Sequence, residues 1–354
     1  MWNEISSKIE AGGRLDKREA AWLFREADWH GLALLADRAR QRRHPGGRVT
    51  YVVDRNINYT NVCSSRCRFC AFFREAGAAD AYVLGREEIF RKIEETLAVG
   101  GTGILMQGGL HPGLDLPWFE ELLRSIRERY AIDLHCFSPP EVLHLSQVSG
   151  VTVEECLLRL VAAGLGSLPG GGAEVLDDEV RRRVSPHKCT TDEWLHVMET
   201  AHGLGLRTTA TMMFGCGEEL RHRLAHLERI RSLQDRSGGF VSFIPWTFQW
   251  PKTDLGRQGW PDATAHEYLR MVALSRLFLD NVPTVQSSWV TQGLKVAQVA
   301  LRFGANDLGS VMLEENVVAA TGCTFRTNEA EMRRLIGDAG FTPAKRNNVH
   351  QILP

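Results

Sequence analysis

The chain has 354 residues, of which 44% are hydrophobic and 24% are charged, and its 42 basic and 43 acidic side chains give a net charge of -1. This is the composition of a globular protein with enough length to bury a large core. Because no long run of one charge occurs, the sequence lacks the electrostatic pattern of a protein that binds nucleic acid or a membrane surface. We therefore expect a small-molecule substrate and neither a nucleic-acid nor a membrane partner.

The first twenty residues are polar and amphipathic, without the apolar core of a secretory signal, and no segment approaches the length of a membrane span. Three of the eight cysteines crowd into Cys63–Cys70, whereas the other five are scattered through apolar stretches. A disulfide framework of a secreted protein does not have this pattern. The sequence therefore predicts a cytoplasmic protein with reduced thiols and a metal site.

Hydrophobic periodicity predicts one barrel preceded by helices. Lys17–Arg43 has the helical spacing of Ala, Leu and Trp, which predicts two lead-in helices on the barrel floor. From about residue 49, eight short apolar runs alternate with longer amphipathic stretches, as in repeated βα units. The predicted strands are Val49–Asn56, Gly103–Gln107, Ile132–Phe137, Gly166–Pro169, Arg207–Phe214, Phe240–Trp246, Val282–Ser288 and Leu308–Leu313.

Eight alternating pairs favour an α/β fold of the TIM-like (β/α)8 barrel type. We expect an N-terminal helical extension at residues 1–48 and, at residues 49–354, the barrel with a C-terminal cap, together forming one structural unit. In such barrels the catalytic groups lie at the C-terminal ends of the strands. Polar and aromatic residues gather at five of these ends, and we expect them to line the active site: Asp54–Asn61, Phe137–Glu141, Trp246–Pro251, Gln286–Trp289 and Glu314–Asn316.

The cysteines Cys63, Cys67 and Cys70 have the spacing C-x3-C-x2-C shortly after the first predicted strand. Three thiolates on one loop can each bind one iron of a [4Fe-4S] cluster and leave the fourth iron open. A structural zinc site needs four ligands, and the chain has no second C-x2-C motif. The pair His222 and His226 is the nearest alternative, but it lies far along the chain on a charged helical stretch. The spacing therefore predicts a cluster with one free coordination position.

Two glycine-rich turns follow predicted strands. After the second strand, Gly108 and Gly109 allow the backbone to approach a ligand closely, and His111 follows them. His111 precedes Pro112 and is either a turn residue or a substrate contact. After the fourth strand, three glycines precede Glu174 without the G-x-G-x-x-G order of a dinucleotide site, which argues against a nicotinamide cofactor.

The cysteine spacing is that of the radical S-adenosylmethionine enzymes, and longer motifs indicate a more specific resemblance. They include DRNINYTN, CRFCAFFR, MQGGLHPG, FSPPE, LPGGGAEVL, VSPHK, TTATMMFG, FIPWTFQ and EENVVAATG. Together they resemble the dehypoxanthine futalosine cyclase family of menaquinone biosynthesis, from about Leu34 to the C-terminus. Aminofutalosine synthase and the two halves of the deazaflavin-forming synthase share part of this pattern and remain alternatives. DRNINYTN, VSPHK and IPWTFQ favour the cyclase.

The resemblance implies roles for particular residues at the cofactor site. Cys63, Cys67 and Cys70 would bind the [4Fe-4S] cluster, whose open iron would take S-adenosylmethionine. Candidates for contacting S-adenosylmethionine are Phe69 beside the adenine, the backbone of Gly108 and Gly109, Glu174 at the ribose or amino group, and Arg181 at the carboxylate. The family usually has Glu where Leu110 stands, and His where Cys216 stands.

The resemblance also implies the reaction. A 5'-deoxyadenosyl radical would remove hydrogen from C4' of the ribose of dehypoxanthine futalosine, and the carbon radical would add to the benzoate ring. Loss of an electron and a proton would then restore the aromatic ring. The candidates for the base are Asp54, Glu218 and Glu314, and those for substrate contact are Arg55, Asn56 and His111. The partners implied are a small nucleoside substrate and an electron donor of the flavodoxin or ferredoxin type.

Overall fold

The computed structural model describes residues 1–354. The helices are α1 (Trp2–Glu10), α2 (Lys17–Glu26), α3 (Trp29–Arg43), α4 (Arg86–Ala98), α5 (Leu116–Arg129), α6 (Pro139–Ser149), α7 (Val153–Ala163), α8 (Asp178–Val184), α9 (Thr191–Gly203), α10 (Leu220–Ser237), α11 (Ala265–Phe278), α12 (Trp289–Ala300) and α13 (Glu329–Asp338). The strands are β1 (Arg48–Val52), β2 (Asp54–Ile57), β3 (Gly103–Met106), β4 (Asp133–Cys136), β5 (Ser167–Leu168), β6 (Arg207–Phe214), β7 (Phe240–Thr247), β8 (Thr284–Val285), β9 (Asp307–Ser310) and β10 (Thr342–Lys345).

All the strands pair in parallel, in one sheet of seven strands, β2 to β8 in chain order, and one of three, β10-β1-β9. A bridge between Gln286 and Asp307 joins β8 to β9. On the other side, Val311 and Leu313 donate backbone hydrogen bonds to the carbonyls of Val52 and Asp54, at 2.9 and 3.2 Å. Strand β9 and the residues after it therefore meet both edge strands of the seven-stranded sheet, β8 and β2, and the predicted parallel α/β barrel is confirmed.

Each predicted run contains a strand, but the first is divided. Val49–Asn56 becomes β1 and β2, which belong to different sheets, with a break at Val53. The alternation of side chains along β2 decides which residues can face the barrel interior. Asn56 lines the interior, whereas Arg55 reaches helix α4 on the outside, where it pairs with Glu95 at 2.7 Å.

Three helices precede the barrel where the sequence predicted two. The additional helix α1 buries Ile5 and Ile9, so its short apolar stripe is part of the core. An Asp16–Glu19 capping box begins α2. Helices α2 and α3 pack against α10 and α11 at the side of the barrel. The end of α3 reaches the barrel floor, where the His44 side chain hydrogen bonds to the Pro283 carbonyl at 2.9 Å.

The C-terminal strand β10 was not predicted from the sequence. It pairs with β1 over four residues and carries the segment after it below the barrel floor. There Arg346 binds the fully buried Asp307 with two nitrogens, at 2.5 and 3.0 Å. Burial alone would raise the pKa of Asp307, but the Arg346 guanidinium holds that pKa below its usual value. This buried ion pair ties the end of the chain to the barrel floor.

Removing the Arg346 cation tests this closure. Arg346→Met removes the cation from the buried Asp307 carboxylate, which keeps the Thr50 hydroxyl and the Gly309 amide as donors, and we expect the free energy of unfolding in urea to fall by about 3–5 kcal/mol. The matched control is Arg334→Met, which breaks exposed ion pairs with Glu331 and Asp338 and should leave the unfolding midpoint unchanged. Equal shifts in the two variants would contradict the role given to Arg346.

Candidate active site

A cavity of about 390 Å³ opens at the C-terminal ends of the strands. All eight predicted strands or the loops after them contribute to its wall, because the carboxyl ends of parallel strands meet at one face of the barrel. One representative from each is Asn56, Gln107, Ser138, Gly171, Thr211, Ile244, Ser288 and Ser310.

Cys63, Cys67 and Cys70 all line this cavity, and all are free thiols. Two hydrogen bonds hold their loop from outside. The Arg68 amide donates to the Val184 carbonyl at 2.9 Å, and the Leu255 amide donates to the Arg68 carbonyl at 2.7 Å. The loop is therefore fixed between the end of α8 and the segment that follows β7.

A buried cation lies beside these thiols. Burial raises the pKa of Cys67 to about 12, while Lys188 acts to lower it. Burial alone would lower the pKa of Lys188, but Cys67 and Glu174 raise it above its usual value. The Lys188 ammonium is 2.9 Å from Glu174 Oε1 and 5.4 Å from the centre of the Phe69 ring. It is the one cationic side chain of the cavity wall, and it favours anionic sulfur there.

The turn before Glu174 presents a free carboxylate oxygen. Glu174 is 3% exposed and has a left-handed backbone with φ of 41°. Its Oε1 accepts from Lys188, whereas its buried Oε2 has no hydrogen-bond partner. Arg181 Nη1 lies 4.0 Å from Oε2, beyond hydrogen-bond distance. A buried carboxylate oxygen without a donor is costly, so this position suits a ligand that brings a hydroxyl or amino donor. The ribose hydroxyls and the amino group of S-adenosylmethionine are such donors, and the site therefore fits this cofactor.

Gly108 and Gly109 make the closest approach to the cysteine loop. A Cβ at Gly108 would lie 2.6 Å from the Tyr59 ring, and a Cβ at Gly109 would collide with the Val62 carbonyl and lie 2.9 Å from Cys63 Cβ. The Gly109 amide donates to the Thr60 carbonyl at 3.0 Å. Only glycine therefore fits between β3 and the cysteine loop.

Glu141 holds this glycine pair. Its buried carboxylate accepts hydrogen bonds from the Gly108 amide at 3.0 Å, the Tyr59 hydroxyl at 2.8 Å and the Ser138 amide at 2.7 Å. Burial raises the pKa of Glu141, and its donors oppose that rise. The sequence places Glu141 only within the polar segment Phe137–Glu141. Its hydrogen bond to Gly108 joins segments that follow two different strands, so it has no local sequence signal.

Another part of the cavity wall is apolar and aromatic, with polar residues beside it. Its apolar part contains Ile244, Trp246, Trp289, Val317 and Val318. Among the polar residues, Ser310 lines the cavity, accepts from the Met312 amide at 2.6 Å and donates a hydrogen bond to Asp54, which is buried behind it. Burial raises the pKa of Asp54 to about 6, with Ser310 and Arg346 acting to lower it and Asp307 to raise it.

The structure brings eight of the predicted site residues to the cavity wall: Asn56, Cys63, Cys67, Phe69, Cys70, Gly108, Gly109 and Glu174. Asp54 reaches the cavity only through Ser310. Five others do not line it, namely Arg55, His111, Arg181, Glu218 and Glu314.

Arg55 and Glu314 face outward, contrary to the sequence reading. Glu314 binds Lys92 of α4 at 2.7 Å, and Arg55 Nε is 3.5 Å from the same carboxylate. Arg55 belongs to this outer cluster because its neighbours on β2 take the inward positions. Glu315, the residue after Glu314, lines the cavity, and its carboxylate accepts three backbone amides of the following turn.

Arg181 and His111 support turns near the cavity. Arg181 is 3% exposed and donates to the Ala173 carbonyl at 2.6 Å and the Cys189 carbonyl at 2.9 Å, so its guanidinium is used inside the protein. His111 accepts from the Gly113 amide at 3.0 Å and lines a much smaller neighbouring cavity.

Glu218 is likewise engaged elsewhere. Its carboxylate binds Arg223 at 2.6 Å and accepts from the amides of Gly215 and Cys216 at 2.9 and 2.8 Å. The fully buried Cys216, which stands where the family has His, packs in a small apolar cluster with Met213 and donates to Glu218 at 3.2 Å. This position does not line the cavity.

Lys188 is the functional residue that the sequence reading missed. It is the last residue of the VSPHK motif, which favours the cyclase family but by itself assigns no role to Lys188. The segment after α8 carries it back over Phe69 to Glu174. A lysine beside a turn has no local signal of burial, so the motif itself was the available clue.

Comparisons with known proteins support this interpretation. Residues 57–230 match the radical SAM superfamily, and residues 237–354 match the CofH/MqnC C-terminal region. The chain is 45% identical to cyclic dehypoxanthine futalosine synthase of Halalkalibacterium halodurans, over 99% of this chain and 94% of the relative. It is 43% identical to the enzyme of the same name from Streptomyces coelicolor, over 99% of this chain and 88% of the relative.

Another similar protein bears a different name. The chain is 41% identical to 5-amino-6-(D-ribitylamino)uracil–L-tyrosine 4-hydroxyphenyl transferase of Methanothermobacter thermautotrophicus, over 95% of this chain and 94% of the relative. Among solved structures, methylornithine synthase superposes with a TM-score of 0.76 at 19% identity, over 96% of this chain and 97% of that one, which shows the common fold.

The chain belongs to the radical S-adenosylmethionine superfamily and, within it, to the group defined by the CofH/MqnC C-terminal region. It is an enzyme, and its cofactors are a [4Fe-4S] cluster and S-adenosylmethionine. No helix in the structure has both the length and the apolar character needed to cross a membrane.

The close packing at Gly109 can be tested by adding one methyl group. Gly109→Ala should displace the cysteine loop at Val62 and lower the iron bound after anaerobic reconstitution, measured as iron per chain and as absorbance near 400 nm. Gly203→Ala is the matched control, because a Cβ at Gly203 has nothing within 4 Å. Full iron content in Gly109→Ala would show that the loop does not depend on this contact.

Proposed function

We propose that the protein is a radical S-adenosylmethionine cyclase that converts dehypoxanthine futalosine to cyclic dehypoxanthinylfutalosine in the futalosine pathway of menaquinone biosynthesis. The observation that carries the proposal is the joint lining of one cavity by three free cysteines and by Glu174 with its unpaired oxygen. The 45% and 43% identities to proteins named for this reaction support the cyclase within the superfamily. The group of free thiols suits a reducing compartment such as the cytoplasm.

In this proposal Cys63, Cys67 and Cys70 hold the cluster. When bound, the cluster and S-adenosylmethionine supply the 5'-deoxyadenosyl radical that takes hydrogen from ribose C4' of the substrate. Glu174 accepts a hydrogen bond from the cofactor through Oε2, and Lys188 holds that carboxylate in place through Oε1. Phe69 provides an apolar surface for the adenine.

The glycine pair has a separate role in cofactor binding. Gly108 and Gly109 present backbone groups to the amino acid part of S-adenosylmethionine beside Cys63, and Glu141 fixes Gly108. The usual motif Glu is replaced by Leu110, so backbone groups alone serve here. The support for this role is that both glycines line the same cavity as Cys63.

The rest of the cavity suits an aromatic nucleoside-like substrate. Trp246, Trp289 and Val317 offer flat apolar surface for the benzoate ring, and Asn56 offers polar contacts to the sugar. Because Lys188 is the one cation of the wall, a substrate carboxylate on the far side must be bound by neutral donors, such as the hydroxyl groups of residues 287–291.

Rearomatisation releases one electron and one proton. The electron would return to the cluster, which gave up one electron when the radical formed, and the proton is taken, in this proposal, by Asp54 through Ser310. Ser310 Oγ donates to Asp54 and accepts from the Met312 amide, which leaves one lone pair toward the cavity. When Ser310 Oγ accepts a proton from the substrate at this lone pair, its own hydroxyl hydrogen can pass to Asp54. Glu218 and Glu314 have no comparable route to the cavity, because Arg223 and Lys92 bind them elsewhere.

The archaeal relative supports a second candidate within the same class. Its name describes transfer of a 4-hydroxyphenyl group between L-tyrosine and 5-amino-6-(D-ribitylamino)uracil, and it is 41% identical to this chain. Aminofutalosine synthase, which acts on an enolpyruvyl precursor, is the other alternative. All three reactions begin with the same radical, so only the substrate distinguishes them.

The test is turnover of defined substrates by the anaerobically reconstituted enzyme with dithionite. We expect dehypoxanthine futalosine labelled with deuterium at C4' to give the cyclic product, with deuterium transferred to 5'-deoxyadenosine. Cys67→Ala should form no 5'-deoxyadenosine, whereas Cys156→Ala, at a buried cysteine of the core, should keep the activity. Turnover of only L-tyrosine with the uracil, or of only the enolpyruvyl precursor, would refute the cyclase.

The proton route predicts a pH dependence. Below about pH 6 the Asp54 carboxyl is protonated and cannot accept a proton, so product formation should fall as pH falls through its pKa of about 6. Asp54→Asn should lower kcat by about 10²–10⁴-fold and remove this acidic limb. Ser310→Ala should lower kcat with little effect on KM for S-adenosylmethionine. If Asp54→Asn keeps the acidic limb of the wild-type pH profile unchanged, Asp54 is excluded as the base.

A further inference from the structure

The outer side of the cysteine loop carries a concentration of positive charge. Arg66 and Arg68, on either side of Cys67, are exposed. With three exposed neighbours they form a set that we call the cationic face: Arg66, Arg68, Arg182, Lys252 and Arg257. Only Glu75 and Asp254 pair with members of this set, at 3.2 Å each. The excess is local, because the chain as a whole has a net charge of -1.

The members of the cationic face come from three segments that touch one another. The Arg68 amide bonds to Val184 at the end of α8, and the Arg68 side chain reaches the Arg183 carbonyl at 3.4 Å. The Arg68 carbonyl accepts from Leu255. Residues 66–68, 182–184 and 252–257 therefore form one continuous surface over the cysteine loop.

Aromatic side chains border this surface. Trp250 and Trp260 are 43% and 39% exposed, and the Arg183 guanidinium lies 5.7 Å from the centre of a Trp260 ring. Exposed tryptophan and arginine are enriched where proteins bind other proteins. A surface that combines cations with exposed indole rings suits an acidic protein better than a small anion.

We propose that the cationic face is the docking surface of an acidic one-electron carrier protein. The inference rests on the proposed function, which requires one electron to reach the cluster before the radical forms. That electron leaves the reduced carrier and enters the cluster, and no bond or proton changes place. Cys67 is 4% exposed directly beneath the exposed Arg66 and Arg68, so this loop is a thin cover between solvent and the proposed cluster site.

Charge complementarity sets the kind of partner. Transient electron-transfer complexes have small interfaces and depend on electrostatic steering, so the partner should present carboxylates around its redox group. The Arg66–Arg68 segment gives the shortest approach to the sulfur ligands. Approach from the barrel mouth would instead compete with the substrate in the cavity.

The experiment measures cluster bleaching and 5'-deoxyadenosine formation with two reductants, reduced flavodoxin and dithionite. The double charge reversal Arg182→Glu with Arg257→Glu, at two exposed members of the cationic face outside the cysteine loop, should raise KM for reduced flavodoxin by on the order of tenfold or more, with the dithionite rate unchanged. The matched control is Arg38→Glu with Arg124→Glu, on the exposed sides of α3 and α5, which should leave both rates unchanged. An unchanged KM in the cationic-face variant, with flavodoxin and with reduced ferredoxin as second probe, overturns the proposal.

Salt dependence provides a measurement on the unaltered enzyme. Raising the ionic strength should raise KM for flavodoxin without changing reduction by dithionite, because exposed charges are screened over about 10 Å at 0.1 M salt. A KM independent of salt overturns the docking surface even if the double variant fails to take up iron. Bleaching by the carrier without formation of 5'-deoxyadenosine would refute the proposed function and leave the docking surface standing.

Discussion

The ammonium of Lys188, buried between Glu174 and the cysteine loop, is the charge on which the site depends. Thiolates and carboxylates are expensive to bury unless a cation accompanies them, and the rest of the cavity wall offers none. One lysine therefore serves two neighbours: it acts to lower the pKa of Cys67 and binds the Glu174 carboxylate. Because Oε1 of Glu174 is occupied by this pairing, Oε2 is left as an acceptor without a donor.

The second constraint is steric. The barrel brings the backbone after β3 so close to the cysteine loop that Gly108 and Gly109 have no room for a side chain. Glu141 and Tyr59 fix this contact from one side, and the Val184 and Leu255 backbones hold the cysteine loop from the other. The backbones of these two loops are thus fixed against each other at the cavity wall that the three cysteines line.

Much of this architecture could be predicted from the sequence, because the signals were local. The eight apolar runs and the C-x3-C-x2-C spacing depend on neighbouring residues, and each run contains a strand. The sequence places Arg55 and Glu314 at the site because both are charged residues near strand ends. The alternation of side chains along β2 puts Asn56 inside and Arg55 outside. Glu314, which follows β9, binds Lys92 in the same outer cluster. Lys188, the Glu141–Gly108 contact and strand β10 depend on pairings between distant segments, for which the sequence has no local signal.

The pairing of β1 places a constraint on the order of folding. This strand lies between β9 and β10, so residues 48–52 find their partners only in residues 307–310 and 342–345. During synthesis β1 must wait for residues more than 250 positions later in the sequence before its edges are covered. Until then its hydrogen-bonding edges are open to other chains, and the emergence of residues 342–345 determines when the second edge is covered.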